Sequence, residues 1–497
     1  MKANVMLGVV SVTALLAACG QQNVTPQSTF QGQGAATAAR YVIVYKNQSI
    51  PVTPLAAGGT QVKLLHAVPS IGVASANLTA AQADALRSDP AVAEVGLEHA
   101  YRLPPDRLIQ ADSTVEQAPT PGVNTVTPAD SLWGYQWDMR RIGAPAAWQN
   151  VSPAQQASVT VAVIDTGVAD NHPDLVNNVS YRKSTNYCPE VNGPTSSPAY
   201  PKYDFVIDLD AATLACAPLP APVYESHGTH VSGTIAAQFG GGRVVGVAPF
   251  TKIAAYKVFD ILRYKDANGV EQEGAQAFDT PIFQAITDAA DHGFQVINMS
   301  LGGTLDKSNR DEHASLTAWK RTLAYARAKG VTIVTSAGND ARHLAGNVVD
   351  VPGDLPEALD VSATGSSQVV FQNGLFDAVP GSDVLAFYSN YGPSVDIAAP
   401  GGDLGPDGTA DPRPYLILND GIIEDGPTAG SLAYYFMAGT SMAAPHVAGA
   451  AALVKAQHPN FTPQQVKSWL SGTADRIGQP DNFGAGIVNV ARATQGQ

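Results

Sequence analysis

Three short segments carry residues that could act together on a carbonyl carbon. The first, Val161-Ala162-Val163-Ile164-Asp165-Thr166-Gly167, is an apolar run that ends on a carboxylate and turns at a glycine. The second is Ser226-His227-Gly228-Thr229-His230-Val231-Ser232-Gly233-Thr234. The third, Gly439-Thr440-Ser441-Met442-Ala443-Ala444-Pro445-His446-Val447-Ala448-Gly449, opens a long Ala-rich helical stretch. Each is ambiguous alone. A strand ending on Asp can serve a ribose or a metal, and two His on one helix face can hold a metal, although no third ligand is evident nearby. A Ser ahead of a helix is most simply an N-cap. Together, in the order Asp165, His227, Ser441, they supply a nucleophile, a general base and the carboxylate that orients the base. A serine hydroxyl is a poor nucleophile until a neutral imidazole takes its proton, and Asp165 would hold His227 in the right tautomer. Small residues around Ser441 let a substrate backbone approach, and the helix N-terminus behind it favours developing negative charge. The Gly-x-Ser-x-Gly elbow of α/β-hydrolases is absent.

These segments resemble the three signature motifs of the subtilisin-like serine peptidases, and the resemblance extends over roughly 132–494. Val296-Ile297-Asn298-Met299-Ser300-Leu301-Gly302-Gly303 resembles that family's substrate-binding strand, and Thr335-Ser336-Ala337-Gly338-Asn339 its oxyanion segment. The resemblance implies that Asn339 donates its side-chain amide, with the Ser441 N–H, to a tetrahedral oxyanion. It also implies that Ser300, Leu301 and Gly302 pair with substrate as an added strand, with Ala337 and Gly338 touching it as well. The implied activity is that of an endopeptidase acting through an acyl-enzyme on protein or peptide substrates, with no cofactor for catalysis. An esterase with the same triad is the rival among enzymes. A surface lipoprotein that only binds is the rival from another class, but it has no need of an oxyanion donor.

Pro352 stands thirteen positions after Asn339, a spacing that matches the length of the family's loop that lines the pocket for the side chain preceding the cut. In that register Asp340 falls on the rim and Asp350 near the base. Asp350 either attracts Lys or Arg there, or turns to solvent and leaves a broad apolar preference. The family pattern is broken elsewhere. Asp165 and His227 stand 62 positions apart, separated by an insertion that holds Cys188 and Cys216, and 403–436 is a second insertion. His172-Pro173-Asp174-Leu175 matches the family's calcium-linked acidic position. The loop that usually supplies an Asn ligand reads Gln238-Phe239-Gly240-Gly241-Gly242-Arg243, with Gly240 in the Asn's place. A structural calcium is thus expected only without an assigned site, and Asp204, Asp208 and Asp210 form either another one or a solvated acidic loop.

The elements that must position these groups read as α/β, a mostly parallel sheet flanked by helices. Strand-like runs at 158–164, 253–258, 296–299, 331–335, 358–363 and 395–397 alternate with helical stretches at 281–292 and 316–329. Such sheets carry chemistry at the carboxyl ends of their strands. This catalytic domain spans 131–494 and is preceded by a small α+β domain at 40–102, with strands at 41–45 and 91–97 and a helix at 79–86. That small domain resembles the family's inhibitory propeptide, which implies a partner in cis that assists folding, occupies the active site and is cut away. Residues 103–130, with Pro104, Pro105, Pro119, Pro121 and Pro128, read as an exposed linker.

At the N-terminus Lys2 precedes an apolar run at 5–16 that is too short for a ~20-residue membrane span. It reads as a secretion signal over 1–18. Leu16-Ala17-Ala18-Cys19 resembles a bacterial lipobox, which implies lipidation of Cys19 on a cell-envelope precursor, followed by a flexible tether at 19–39. No later run of 18 or more apolar residues occurs, so membrane association is expected only through that lipid, and the catalytic domain is expected to be released once the propeptide is cut. Cys188 and Cys216 are then an even pair in an exported chain. A disulfide between them would contribute ~3 kcal/mol, and two free thiols are the alternative.

Composition sets the outer bounds. With 29 Lys+Arg against 43 Asp+Glu the formal charge is −14, which repels nucleic acid and anionic lipid and excludes a nucleic-acid role. Hydrophobic residues at 45% and charged ones at 14% exclude overall disorder. A length of 497 residues suits one large catalytic unit with small appendages.

Overall fold

The structure, a computed structural model, describes residues 38–48, 50, 56–57, 59–103, 109–111, 128–188, 199–209, 214–265, 268–406 and 409–495. The signal segment, Cys19, the expected tether up to residue 37 and Asp210 lie outside these residues, and Ala39, given to the tether, opens a strand.

Apolar, β-branched runs build the central sheet. Its strands lie in the order Val179–Ser184, Lys252–Lys257, Thr160–Asp165, Val296–Met299, Thr332–Ser336, Ala358–Ser366, Asp383–Leu385, and Ile397–Pro400 also pairs with Ala358–Ser366. All pairings are parallel except that of Asp383–Leu385. A parallel sheet is covered on both faces, which is why Thr160–Asp165 reads as a continuous apolar run. Val161 and Val163 join the core of helices His227–Ala236 and Thr440–Gln457, while Ala162 and Ile164 join that of helices Asp279–Asp291 and His313–Ala328. The strand order reverses beside Thr160–Asp165, since the next two strands in the chain lie on one side of it and all later ones on the other. Such a switch point opens a crevice at the carboxyl end, and Asp165 is the last residue of that strand.

The N-terminal region is an antiparallel sheet in the order Leu64–Val68, Val73–Leu78, Ala39–Tyr45, Val92–Leu97. Its helix Ala80–Arg87 starts from a capping box, with Gln82 N donating to Thr79 Oγ1 at 3.3 Å and Thr79 N to Gln82 Oε1 at 2.9 Å. Ala39–Tyr45 alternates. Tyr41, Ile43 and Tyr45 pack with Ala83 and Leu86 of that helix, while Val42 and Val44 join the cluster of Phe283, Trp319 and Leu323. One face of the small sheet is therefore closed by helices of the large domain, with Tyr187 of the first insertion against Ser75 on the same face.

One expectation needs correction. The stretch 103–130 is not all exposed linker, because Ile109–Gln110 pairs with strand Leu432–Met437 and the buried Asp130 accepts from Gly240 N at 2.9 Å. The first insertion contributes to a sheet of its own. A five-stranded sheet runs Cys216–Tyr224, Lys202–Asp208, Phe259–Lys265, Glu271–Phe278, Ala100–Arg102, so the end of the N-terminal region supplies one edge. Pro218, Pro220 and Pro222 sit on the opposite edge strand, where a missing N–H breaks no ladder. A disulfide joins Cys188 to Cys216 at a Cα separation of 5.7 Å, which removes the free-thiol alternative.

Candidate active site

Asp165 Oδ1 accepts from Thr166 N at 2.7 Å and meets His227 Nδ1 at 2.8 Å, with both side chains fully buried. A carboxylate only accepts, so Nδ1 carries the ring proton and Nε2 is the basic nitrogen of the neutral imidazole. His227 opens its helix beside a firm anchor. Ser226 Oγ donates to Ile422 O at 2.6 Å and accepts from Ile422 N at 3.0 Å, and Ser226 N donates to Glu424 Oε1 at 2.7 Å. A Cβ on Gly228 would lie 2.2 Å from Gly167 O, so only glycine lets this helix start so close to the Asp165 turn. His230 does other work. Its Nε2 lies 3.2 Å from Ile417 O and 3.1 Å from Tyr435 O, and burial pushes its pKa down to about 3. The two histidines serve different partners, and the metal reading of the pair fails.

Ser441 is the second residue of helix Thr440–Gln457 and is 4% exposed. Its Oγ makes a long 3.4 Å contact with Ser300 O, while Ser300 Oγ donates to Ser441 O at 2.8 Å and receives Asn298 Nδ2 at 3.1 Å. Asn339 Oδ1 accepts from Thr440 N at 2.9 Å and from Thr440 Oγ1 at 2.8 Å, which turns its Nδ2 the other way. A Cβ on Gly439 would stand 3.5 Å from Asn339 Nδ2 and 3.6 Å from Ser441 N. Two donors converge on a space that glycine keeps open. Preorganised N–H groups around such a space stabilise an oxyanion.

Three adjacent strands thus deliver the predicted residues in turn. Thr160–Asp165 delivers Asp165, Val296–Met299 leads to Ser300, Leu301 and Gly302, and Thr332–Ser336 leads to Ala337, Gly338 and Asn339. Asp350 joins them from strand Val348–Val351. A Cβ on Gly302 would lie 3.2 Å from Asp350 Oδ1, and one on Gly338 would lie 3.4 Å from Asp350 Oδ2. At 4% exposure Asp350 does not turn to solvent, which overturns that alternative. Burial, helped by the nearby Asp360 and Asp354, pushes its carboxyl well above the usual carboxylate range. Asp340 is exposed, as a rim position would be. Cys188 and Cys216 lie outside this group, in the first insertion.

Sequence reasoning missed Thr440, Ser226 and Glu424 as supports. Only the adjacency of Thr440 and Ser226 to the motif residues could have pointed to them. The expected calcium finds a poor fit near Asp174. Asp174 Oδ2 is held by Tyr434 OH at 2.9 Å and Arg243 N at 3.2 Å, Gly240 brings no side-chain oxygen, and the further groups beside it are the Asp420 carboxyl and the imidazole of His172. Calcium takes six to eight oxygens. Asp204 and Asp208 form ion pairs with Lys202 at 3.1 Å and Arg263 at 3.2 Å, as solvated surface acids do.

A sequence profile described as the subtilase family matches residues 156–486. The chain is 29% identical over 519 residues to an extracellular protease of Xanthomonas campestris, covering 98% of this chain and 78% of that protein. It is 28% identical over 435 residues to an alkaline protease of Shouchella clausii, covering 88% and 82%. Among solved structures, a protease of Pseudoalteromonas arctica PAMC 21717 superposes with a TM-score of 0.54 at 29% identity, covering 74% of this chain and 98% of that one. The epidermin leader peptide processing protease of Staphylococcus aureus shares the fold with a TM-score of 0.63 at 24% identity, covering 92% and 98%.

Proposed function

The chain belongs to the subtilase family and is a serine endopeptidase, and from that premise we propose that its acyl-enzyme forms on Ser441. His227 Nε2 takes the Ser441 proton as Oγ attacks the scissile carbonyl, and Asp165 stabilises the imidazolium. Asn339 Nδ2 and Ser441 N bind the oxyanion. The proton passes to the leaving amine, and water repeats the sequence to release the acyl group. Substrate lies extended along Ser300, Leu301 and Gly302. Two observations carry this reading: the buried 2.8 Å Asp165–His227 contact and, at the start of the Ser441 helix, two N–H donors that face one open point. A serine-directed phosphonate should label Ser441, located by mass of the labelled peptide, and stop casein hydrolysis. Label on another residue, or casein cutting that continues after full labelling, rejects the assignment.

Asn339→Ala removes one of two donors. The expected outcome is a fall in kcat of about 10²–10³ with KM little changed. A loss below threefold would take Asn339 out of the oxyanion site.

For specificity, the Asp350 carboxyl is the group that would meet a substrate side chain between Gly302 and Gly338. With its pKa raised, it is neutral at low pH and ionises as pH increases, and only the ionised form attracts a cation. The Lys-over-Leu ratio of kcat/KM at the position before the cut should therefore rise with pH. It should reach roughly ten- to a hundredfold, the size of a charge-assisted hydrogen bond of ~1.5–3 kcal/mol. Asp350→Asn should flatten the profile. A ratio that ignores both pH and the mutation rejects this role.

The region preceding the catalytic domain is the proposed inhibitor in cis. Its last strand, Ala100–Arg102, pairs with Glu271–Phe278, and Leu103 N donates to Ala275 O at 3.1 Å. Tyr101 Cδ1 lies 2.9 Å from where a Cβ on Gly303 would stand, directly after the substrate segment. The next described residues, Ile109–Gln110, pair with the strand that leads to Ser441. This route supports a cut between 103 and 130. Export follows from the likeness to an extracellular protease. With the lipid on Cys19, the anchor stays with the inhibitor, and the catalytic domain leaves when the chain is cut.

A further inference from the structure

His172 and Asp174 lie on the loop that follows the Asp165 strand, and Asp420 lies on strand Ile417–Ile422 of the second insertion. Asp420 sits against the His227 helix, where a Cβ on Gly233 would be 2.5 Å from its Oδ2. All three side chains are buried to 1% exposure or less, and one ligand atom from each falls within 4.8 Å of the others. The hydrogen bonds fix what they present. His172 Nε2 is 3.1 Å from Ala433 O, and since a carbonyl only accepts, the ring proton is on Nε2. Nδ1 therefore turns a lone pair toward Asp420 Oδ1 at 3.4 Å and Asp174 Oδ2 at 3.8 Å, and only the Asp174 N–H approaches it, at a long 3.4 Å. Among the described residues both oxygens of Asp420 and Oδ1 of Asp174 receive no donor N–H or O–H, and the two carboxyls lie within hydrogen-bonding reach of each other.

Three lone-pair donors facing one another in a dry interior need something positive between them. An imidazolium Nδ1–H would point at Asp420 Oδ1 and Asp174 Oδ2 only, and would leave Asp174 Oδ1 and Asp420 Oδ2 without a donor. A proton shared by the two carboxyls leaves Nδ1 still facing carboxyl oxygens. A divalent cation meets all three donors and balances both carboxylates. We propose that His172, Asp174 and Asp420 bind one divalent transition-metal ion, with Zn²⁺ the best match. One imidazole nitrogen and two carboxylate oxygens are zinc ligands, whereas calcium would want oxygens alone and more of them. The surroundings are those of a metal site. Ala433 O orients the imidazole through Nε2–H, and Tyr434 OH with Arg243 N orients Asp174. The ion pins the second insertion to the loop that follows Asp165 and takes no part in the cutting reaction.

The test uses the full chain carrying Ser441→Ala, to prevent self-digestion, stripped with a chelator and dialysed against Zn²⁺ with and without excess Ca²⁺. The expected result is one Zn²⁺ per chain that Ca²⁺ does not displace, with a higher Tm than the stripped protein. X-ray absorption should show nitrogen and oxygen neighbours at ~2.0–2.2 Å and no sulfur. Asp420→Asn and His172→Gln should each abolish stoichiometric uptake while circular dichroism stays unchanged. If a variant fails to fold, the absorption spectrum of the Ser441→Ala protein decides alone. Folded protein that takes up no Zn²⁺ overturns the proposal in favour of a shared proton. Uptake that persists in folded Asp420→Asn overturns it as well, because the ion is then bound elsewhere.

Discussion

Ser441→Ala should lower kcat by on the order of 10⁶, the size known for loss of this nucleophile in the family, and leave the fold intact. The reason the fold survives lies in the helix start. Gly439 is the N-cap residue and brings no side chain, and the first helical N–H, that of Thr440, donates to Asn339 Oδ1, so the Ser441 hydroxyl is not holding the terminus. Its one described contact, with Ser300 O, is long at 3.4 Å. What remains after substitution is binding and the two oxyanion donors. A second result follows in the same experiment. With autocatalytic processing stopped, the chain should stay uncut between 103 and 130, and the catalytic domain should stay in the membrane fraction with the lipid on Cys19. Intact mass and fractionation read this directly. Peptide turnover near the wild-type rate, or self-processing of the pure variant, would remove Ser441 from the mechanism.

Asp165→Asn should cost about 10⁴ in kcat with little change in KM. The asparagine has two ways to sit. It can keep its oxygen on Thr166 N and on His227 Nδ1, in which case the imidazolium loses the buried negative charge that matches it. It can instead turn its amide nitrogen to Nδ1, which forces the ring proton onto Nε2 and leaves no base for Ser441. The first is the better fit, because the turned amide would set its NH2 against the Thr166 N–H that Oδ1 accepts at 2.7 Å; Asp165 Oδ2 has no donor in either case. Steady-state kinetics on one peptide substrate measures the effect. A loss below tenfold means that Asp165 neither orients nor charges the histidine, and the triad would then have to be rebuilt around another carboxylate.

The triad was legible because each member sits in a short linear context with a physical reason for its neighbours. Asp165 ends an apolar strand, His227 is followed by the glycine that permits close packing, and Ser441 begins a helix among small residues. The parallel sheet was legible for the same reason, and its strand ends moved by only a few positions, as with 395–397 against Ile397–Pro400. What stayed hidden depends on partners distant in sequence. The two-residue strand Ile109–Gln110 is too short to show a period, and it exists because Leu432–Met437 offers an edge. The strand Cys216–Tyr224 carries three prolines that argue against any strand except one on an edge, which the sequence alone does not reveal. Asp420 lies 246 positions from Asp174, and its own context, Leu418-Asn419-Asp420-Gly421, reads as an ordinary strand end or turn. Asp350 was placed by counting, but only burial could decide which way it faces.

The route of the chain between Leu103 and Ile109 has a kinetic meaning. Leu103 is held beside the edge that leads past Gly303 and Ile109 on the strand that runs into Ser441, so the cut proposed between 103 and 130 and the proposed nucleophile belong to one chain held at both points. Their meeting does not depend on how many molecules are present, because the effective local concentration is set by tether length. If the proposed cut is made within one chain, maturation is first order in the precursor and its half-time stays constant when the protein is diluted. Under that proposal a sparse population of precursors matures as promptly as a dense one.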